Sequence, residues 1–183
     1  ATLGIPGLTA AHAVFGGGDI AGQTLLISGG AGAVGHNAVQ LAKWGGATVI
    51  ATASPSAFAR VKEAGADHVL DYRAPDLAEQ VLQATSGNLI HRAGECEFGA
   101  NINTLAEVIA PNGTISAYGS AIDMAPTLPF GPLLFKAVTI DIALVYILRP
   151  EERATAITHV MRALSSGALK ARVHSVHPLK ETA

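Results

Sequence analysis

Residues 24–35 read Thr-Leu-Leu-Ile-Ser-Gly-Gly-Ala-Gly-Ala-Val-Gly and narrow the possible folds more than any other stretch. Four apolar or β-prone residues run straight into glycines. Residues 33–44 then carry helical spacing, with Val34, Ala38, Leu41 and Ala42 placed to face a sheet. Strand, tight turn and helix in that order open a parallel β-α-β unit. Gly30, Gly32 and Gly35 match G-x-G-x-x-G. In such a turn the first glycine is expected to permit the bend, the second to let backbone approach a pyrophosphate, and the third to pack helix on strand. Free N–H groups and the dipole at the helix start favour a phosphate there.

Two other phosphate loops are excluded by inspection. A Walker loop needs Lys and then Ser or Thr after its last glycine, but Gly35 is followed by His36 and Asn37. A short-chain reductase has another glycine spacing, with Gly where this chain has Ala33, and a Tyr followed four residues on by Lys. Tyr72, Tyr118 and Tyr146 are followed at that distance by Asp76, Ile122 and Pro150.

The rest of the chain repeats the pattern. Residues 8–15 form a short apolar helix closed by three glycines. Strands are then expected over residues 24–28, 47–53, 68–70, 89–96, 113–118 and 137–147. Helices are expected over 33–44, 58–64, 76–85 and 102–109, with a final helix opened by Pro150 and the acids after it. Strands alternating with helices of about ten residues mean parallel units with right-handed crossovers. The expected fold is a Rossmann-type α/β domain, a doubly wound parallel six-stranded sheet with helices on both faces. Pro126, Pro129 and Pro132 mark a surface connection without helical or strand periodicity. The last strand, opening at Ala137 and closing at Ile147, belongs at the sheet edge. A long apolar edge needs a cover, so a homodimer paired through it is expected.

At 183 residues one compact domain is expected. Charged residues make up 14%, leaving a surface less polar than a free-standing monomer requires. A net charge of −2 without a basic cluster speaks against nucleic acid or an anionic membrane as partner. No apolar run reaches the length of a membrane span. The single cysteine, Cys96, allows no internal disulfide and no Cys cluster for zinc, which suits a reducing cytoplasm. The chain opens at Ala1 without a methionine and stops at Ala183 in what reads as a helix start, so a fragment or excised domain is expected.

The end of the second strand carries an informative absence. NAD-selective sites place Asp or Glu there to hold the ribose 2′-hydroxyl. Here the chain reads Thr52, Ala53, Ser54, Pro55, Ser56. Hydroxyls with a nearby cation, Arg60, suit a 2′-phosphate, so NADPH is the expected cofactor. Ser54 and Ser56 are also placed to cap the helix that follows.

In this order and spacing the chain resembles the zinc-independent quinone oxidoreductases, the zeta-crystallin-like branch of the medium-chain dehydrogenase/reductase superfamily. The resemblance rests on Gly7-Leu-Thr-Ala10, the run over residues 28–43, Gly65-Ala-Asp67, Asp71-Tyr-Arg73 and residues 113–120, and covers essentially the whole chain. It implies the coenzyme domain of an NADPH-dependent reductase that passes hydride to a quinone or an α,β-unsaturated carbonyl, without metal. The resemblance puts the glycine turn, Gly30, Gly32, Ala33 and Val34, on the pyrophosphate. It puts Ser54 and Tyr72 on the 2′-phosphate, and Thr9, Gly119 and Ser120 near the nicotinamide. Many relatives have a lysine for the 2′-phosphate where this chain has Ala57, leaving Arg60 as the nearby substitute. Relatives often carry Asp then small apolar residues around the fourth strand, where this chain has His91-Arg-Ala-Gly-Glu-Cys96. The family builds its substrate cleft from a second domain, toward which residues 1–18 and 172–183 lead. Catalytic residues cannot be assigned.

The remaining reactive side chains are read as structural. His12 is expected to pack or face solvent, Cys96 to act as a buried small hydrophobe and Tyr118 to pack. His174 and His177 are expected to be exposed terminal residues rather than metal ligands. Two alternatives stay open: an enoyl-reducing module of a fatty-acid or polyketide synthase, and a nucleotide-binding module without catalysis.

Overall fold

The computed structural model describes residues 3–173 and 175–181. Helix α1, Ile5–Phe15, precedes strand β1, Thr24–Ile27. Then follow α2 (Ala33–Trp44), β2 (Thr48–Ala53), α3 (Phe58–Glu63), β3 (His68–Asp71), α4 (Leu77–Ala84) and β4 (Ile90–Glu95). The chain continues through α5 (Phe98–Val108), β5 (Ile109–Ala117), α6 (Phe130–Phe135), β6 (Thr139–Ile142) and α7 (Pro150–Ser165). The six strands lie in the order β3-β2-β1-β4-β5-β6, and every pairing is parallel. The order reverses between β1 and β4, where open α/β sheets leave a crevice beyond the strand ends.

The two-residue period of the strands builds two cores. Leu25 and Ile27 of β1 and Val49 and Ala51 of β2 pack with α1, α2, α3 and α7. Leu26 and Ile50, on the opposite face, pack with α4, α5 and α6. Strands covered on both sides read as continuous apolar runs, which is why they stand out in the sequence.

Several expectations change, and α5 and β5 each begin four residues earlier than expected, at Phe98 and Ile109. The last strand is much shorter than residues 137–147. Its register runs from Thr114↔Thr139 to Ala117↔Ile142, and it ends because β5 ends at Ala117. Residues Val145–Ile147 form a 3-10 turn instead. The proline-rich passage is not structureless, since it contains α6, whose Leu133 is buried. Pro132 falls in the first turn of α6, where an N–H has no intrahelical acceptor, so the missing donor costs little.

His12 does more than pack. Its Nε2 lies 3.0 Å from Asp141 Oδ2 on β6, and the Ser116 hydroxyl of β5 donates to the same oxygen at 3.0 Å. Arg92, buried in β4, donates to the Val14 carbonyl at 3.1 Å. Its guanidinium fills the space over Gly17, where a Cβ would stand 2.0 Å from Nη2. One polar cluster thus ties α1 to three strands of the sheet.

Candidate functional site

The glycine turn joins β1 to α2 at the point where the strand order reverses. Gly29, not Gly30, takes the left-handed conformation that makes the bend, with φ of 63°. Gly30 is needed for closeness: a Cβ there would come within 2.9 Å of the Ala51 Cβ and 3.0 Å of Val61. Of the turn glycines Gly35 has the least room, since a Cβ would sit 2.2 Å from the Gly29 carbonyl oxygen. Gly32 is the exposed N-cap of α2.

Hydrogen bonding separates the amides that hold the turn from those left open. Gly30 N–H donates to the Thr52 carbonyl at 2.8 Å and Gly29 N–H to the Thr52 hydroxyl at 3.2 Å. Gly32 N–H donates to the Gly29 carbonyl at 2.9 Å. The N–H groups of Ala33, Val34 and Gly35 have no acceptor among the described residues, and no side chain caps α2. Three unpaired amides, those of exposed Ala33, half-buried Val34 and buried Gly35, thus stand at the positive end of a twelve-residue helix that follows a turn fastened to β2.

The surroundings add positive charge. A cleft of about 190 Å³ beside the start of α2 is lined by Gly32, Ala33, His36, Asn37 and Arg172. Burial, with help from Arg172 and Arg60, pushes the His36 imidazole below its ordinary value. The cation expected at the second strand, Arg60, has a buried Nε with no hydrogen-bond partner among the described residues.

The other expected residues stand at the same carboxyl ends of the strands, except Thr9. Ser54 follows β2 directly, its hydroxyl 3.1 Å from that of Ser56. Neither caps the following turn through its side chain, contrary to the capping role open to them. Tyr72 follows β3 and is exposed. Gly119 and Ser120 follow β5 but serve the start of α5. The Gly119 carbonyl accepts from Phe98 N–H at 2.9 Å, and the Ser120 hydroxyl accepts from Gly99 N–H at 2.8 Å while donating to the Asp123 carbonyl. Thr9 is buried within α1, its hydroxyl given to the Ile5 carbonyl at 2.8 Å.

Beneath the crevice lies Glu95, fully buried at the end of β4. It accepts from the Ser28 hydroxyl, Glu97 N–H and the Asn101 amide. Burial raises its pKa, and those three donors oppose the rise. The signal for it was legible as a lone carboxylate inside a strand-length run, though its partners were not. Cys96 stands against Gly29; burial and the neighbouring Glu95 and Glu97 push its thiol up to about 11, so it stays protonated. The Tyr118 hydroxyl is buried without a partner among the described residues, and burial drives its pKa well above the ordinary phenol value. Both groups are therefore protonated at neutral pH. His177 is exposed and hydrogen-bonds to Ser175 at 2.7 Å, while His174 lies outside the described residues. Among the described residues no three His, Cys, Asp or Glu side chains are grouped to hold a metal ion, and no helix is long and apolar enough to cross a membrane.

Comparison with known proteins agrees with this geometry. Residues 33–162 match the family model described as zinc-binding dehydrogenase. The chloroplast envelope quinone oxidoreductase homolog of Arabidopsis thaliana is 32% identical over 162 residues, covering 86% of this chain and 46% of that protein. A mycobacterial protein solved in complex with NADPH superposes with a TM-score of 0.83 at 26% identity, over 94% of this chain and 55% of that one. The CurK enoyl reductase superposes with a TM-score of 0.82 at 27% identity, over 99% and 55%. The chain spans about half the length of these relatives. It belongs to the zinc-binding dehydrogenase family of oxidoreductases, in the quinone oxidoreductase branch of the medium-chain dehydrogenase/reductases.

Proposed function

We propose that this chain is the NADPH-binding domain of an oxidoreductase that reduces a quinone or an α,β-unsaturated carbonyl, with residues 1–18 and 172–183 leading to the domain that supplies the substrate side. The observation that carries the reading is the set of three open amides at the start of α2, held by Thr52 and the glycine turn at the reversal of strand order. The donor set fits a dinucleotide: backbone N–H groups for a pyrophosphate, and no carboxylate over residues 52–57 to repel a 2′-phosphate. When bound, NADPH supplies the hydride. Ala33, Val34 and Gly35 bind the diphosphate through their amides, Ser54 and Tyr72 border the 2′-phosphate, and Gly119 and Ser120 stand on the opposite side of the reversal. The chain's part is to bind and orient. A reducing cytoplasm suits the free thiol of Cys96.

Calorimetric titration with NADPH tests this directly, with one site per chain expected and no heat of binding overturning it. Likeness to the CurK enoyl reductase supports a second reading, an enoyl-reducing module. On a protein carrying both halves, NADPH consumption with benzoquinone but not with an enoyl thioester supports the first, and the reverse supports the second. Binding without turnover of either leaves a nucleotide-binding module.

The same chain is proposed to pair with a second copy along β6. That strand has one free edge, and Ile142, Leu144, Tyr146 and Ile147 beside it are at least half exposed. Sedimentation should show a dimer that Ile142→Lys dissociates; a wild-type monomer at high concentration refutes the pairing.

A further inference from the structure

Asp71, the last residue of β3, pairs in register with Ala53, the last of β2. The next residue on each strand, Tyr72 and Ser54, therefore starts about one strand spacing away from the other, roughly 4.8 Å. Arg73 follows, and its setting is unusually well defined for an exposed cation. The Asp71 carboxylate accepts Arg73 N–H at 3.1 Å, and Arg73 Nε donates to the Tyr72 hydroxyl at 3.0 Å. The guanidinium lies over the Tyr72 ring, 4.9 Å from its centroid. These contacts use one of the guanidinium's donors. Nη1 and Nη2 have no hydrogen-bond or carboxylate partner among the described residues. Stacking and the Nε bond restrict the side chain, so less entropy is lost when its planar fork closes on an anion.

Arg60 is the cation nearer in sequence to Ser54, yet its setting is different. It lies on α3, its Nε is buried without an acceptor among the described residues, and its charge acts on His36 in the first turn of α2. Among the described residues no hydrogen bond links it to Ser54, Tyr72 or Arg73.

Resting on the NADPH reading above, we propose that Arg73, stacked on Tyr72 beside Ser54, is the specificity residue that takes the 2′-phosphate, and that Arg60 is not. A phosphate dianion matches the open fork, whereas the 2′-hydroxyl of NADH gives it no charge to pair with.

Calorimetry on the chain and its variants, with NADPH against NADH and 2′,5′-ADP against 5′-AMP, tests the assignment. Loss of a charge-assisted contact of this kind corresponds to a loss of about tenfold or more in affinity. Arg73→Gln should weaken NADPH and 2′,5′-ADP by at least about tenfold and leave NADH and 5′-AMP within about twofold. Arg73→Lys should recover part of the loss, and Arg60→Gln should leave the NADPH preference in place. An unchanged preference in Arg73→Gln, or its collapse in Arg60→Gln, overturns the assignment while sparing the cofactor reading. Wild-type chain that binds neither dinucleotide removes the cofactor reading as well, and equal binding of NADPH and NADH removes the 2′-phosphate argument alone.

Discussion

Adding one methyl group at Gly35 or at Gly32 should separate what the turn does for the fold from what it does for the ligand. At Gly35 the new Cβ would stand 2.2 Å from the Gly29 carbonyl oxygen, 2.7 Å from its carbon and 3.0 Å from the Gly30 Cα. All three are backbone atoms of a turn fixed by Thr52, so no side chain can swing aside. The start of α2 must instead move by about 1 Å, with an overpacking cost of about 1–3 kcal/mol. In a chain of this size that is a fall in Tm of about 2–12 °C. The shift also carries the open amides of Ala33, Val34 and Gly35 away from the turn, so NADPH affinity should drop more than about tenfold. Gly32 is exposed, and a Cβ there would meet only the Gly29 oxygen, at 3.3 Å. Gly32→Ala should therefore cost less than about 0.5 kcal/mol of stability, yet stand where a phosphate must approach and weaken NADPH as strongly. Thermal unfolding by circular dichroism and calorimetric titration of both variants read out the two effects. A Gly35→Ala protein of unchanged Tm, or a Gly32→Ala protein of unchanged affinity, would refute the reasoning.

Other perturbations test the supports of the site. Thr52→Val keeps the shape of the side chain and leaves the Gly29 N–H without its acceptor, so unfolding in urea should show a loss of about 1–2 kcal/mol, with weaker NADPH binding as the turn loosens. The His12–Asp141 pair should give a pH signature. Its hydrogen bond to Asp141 raises the His12 pKa, with Glu152 adding to the rise and Arg92 and burial opposing it, and the same bond lowers that of Asp141. The His12 contribution is complete below the ordinary imidazole pKa and is lost as pH rises through the raised value. The Asp141 contribution is complete above the ordinary carboxylate pKa and is lost as pH falls through the lowered one. Stability from the pair should thus be greatest between those two ordinary values, by about 1 kcal/mol after allowing for solvent screening of the partly exposed Asp141. Denaturant midpoints across pH should show that plateau in the wild-type chain and not in His12→Gln; identical profiles would contradict it.

What could be read in the sequence follows the range over which each feature acts. The doubly wound sheet was legible because strand-length apolar runs alternate with helical spacing, and both are local patterns. The length of β6 was not, because an apolar run continues past Ile142 while the partner strand stops at Ala117. Helix α6 was hidden by Pro132, whose position in a first turn removes the usual penalty. At the site, Gly32 and Gly35 declare themselves by lacking side chains, but Gly29 was passed over in favour of Gly30 because the motif does not say which glycine has positive φ. Thr52 anchors the turn from 23 residues away, and Ser28 meets Glu95 across 67. Spacing along the chain cannot show such pairs. His12 and Asp141 were each visible as a polar residue in an apolar segment, and only the fold makes them partners.

The central claim concerns three backbone amides, and nitrogen-15 NMR of the labelled chain during titration with NADPH observes them one by one. Saturable shifts at Ala33, Val34 and Gly35, larger than those on the distant end of α2 near Lys43 and Trp44, are the expected result. NADPH binding that leaves those three amides unmoved, or a spectrum that does not change at all, would contradict it.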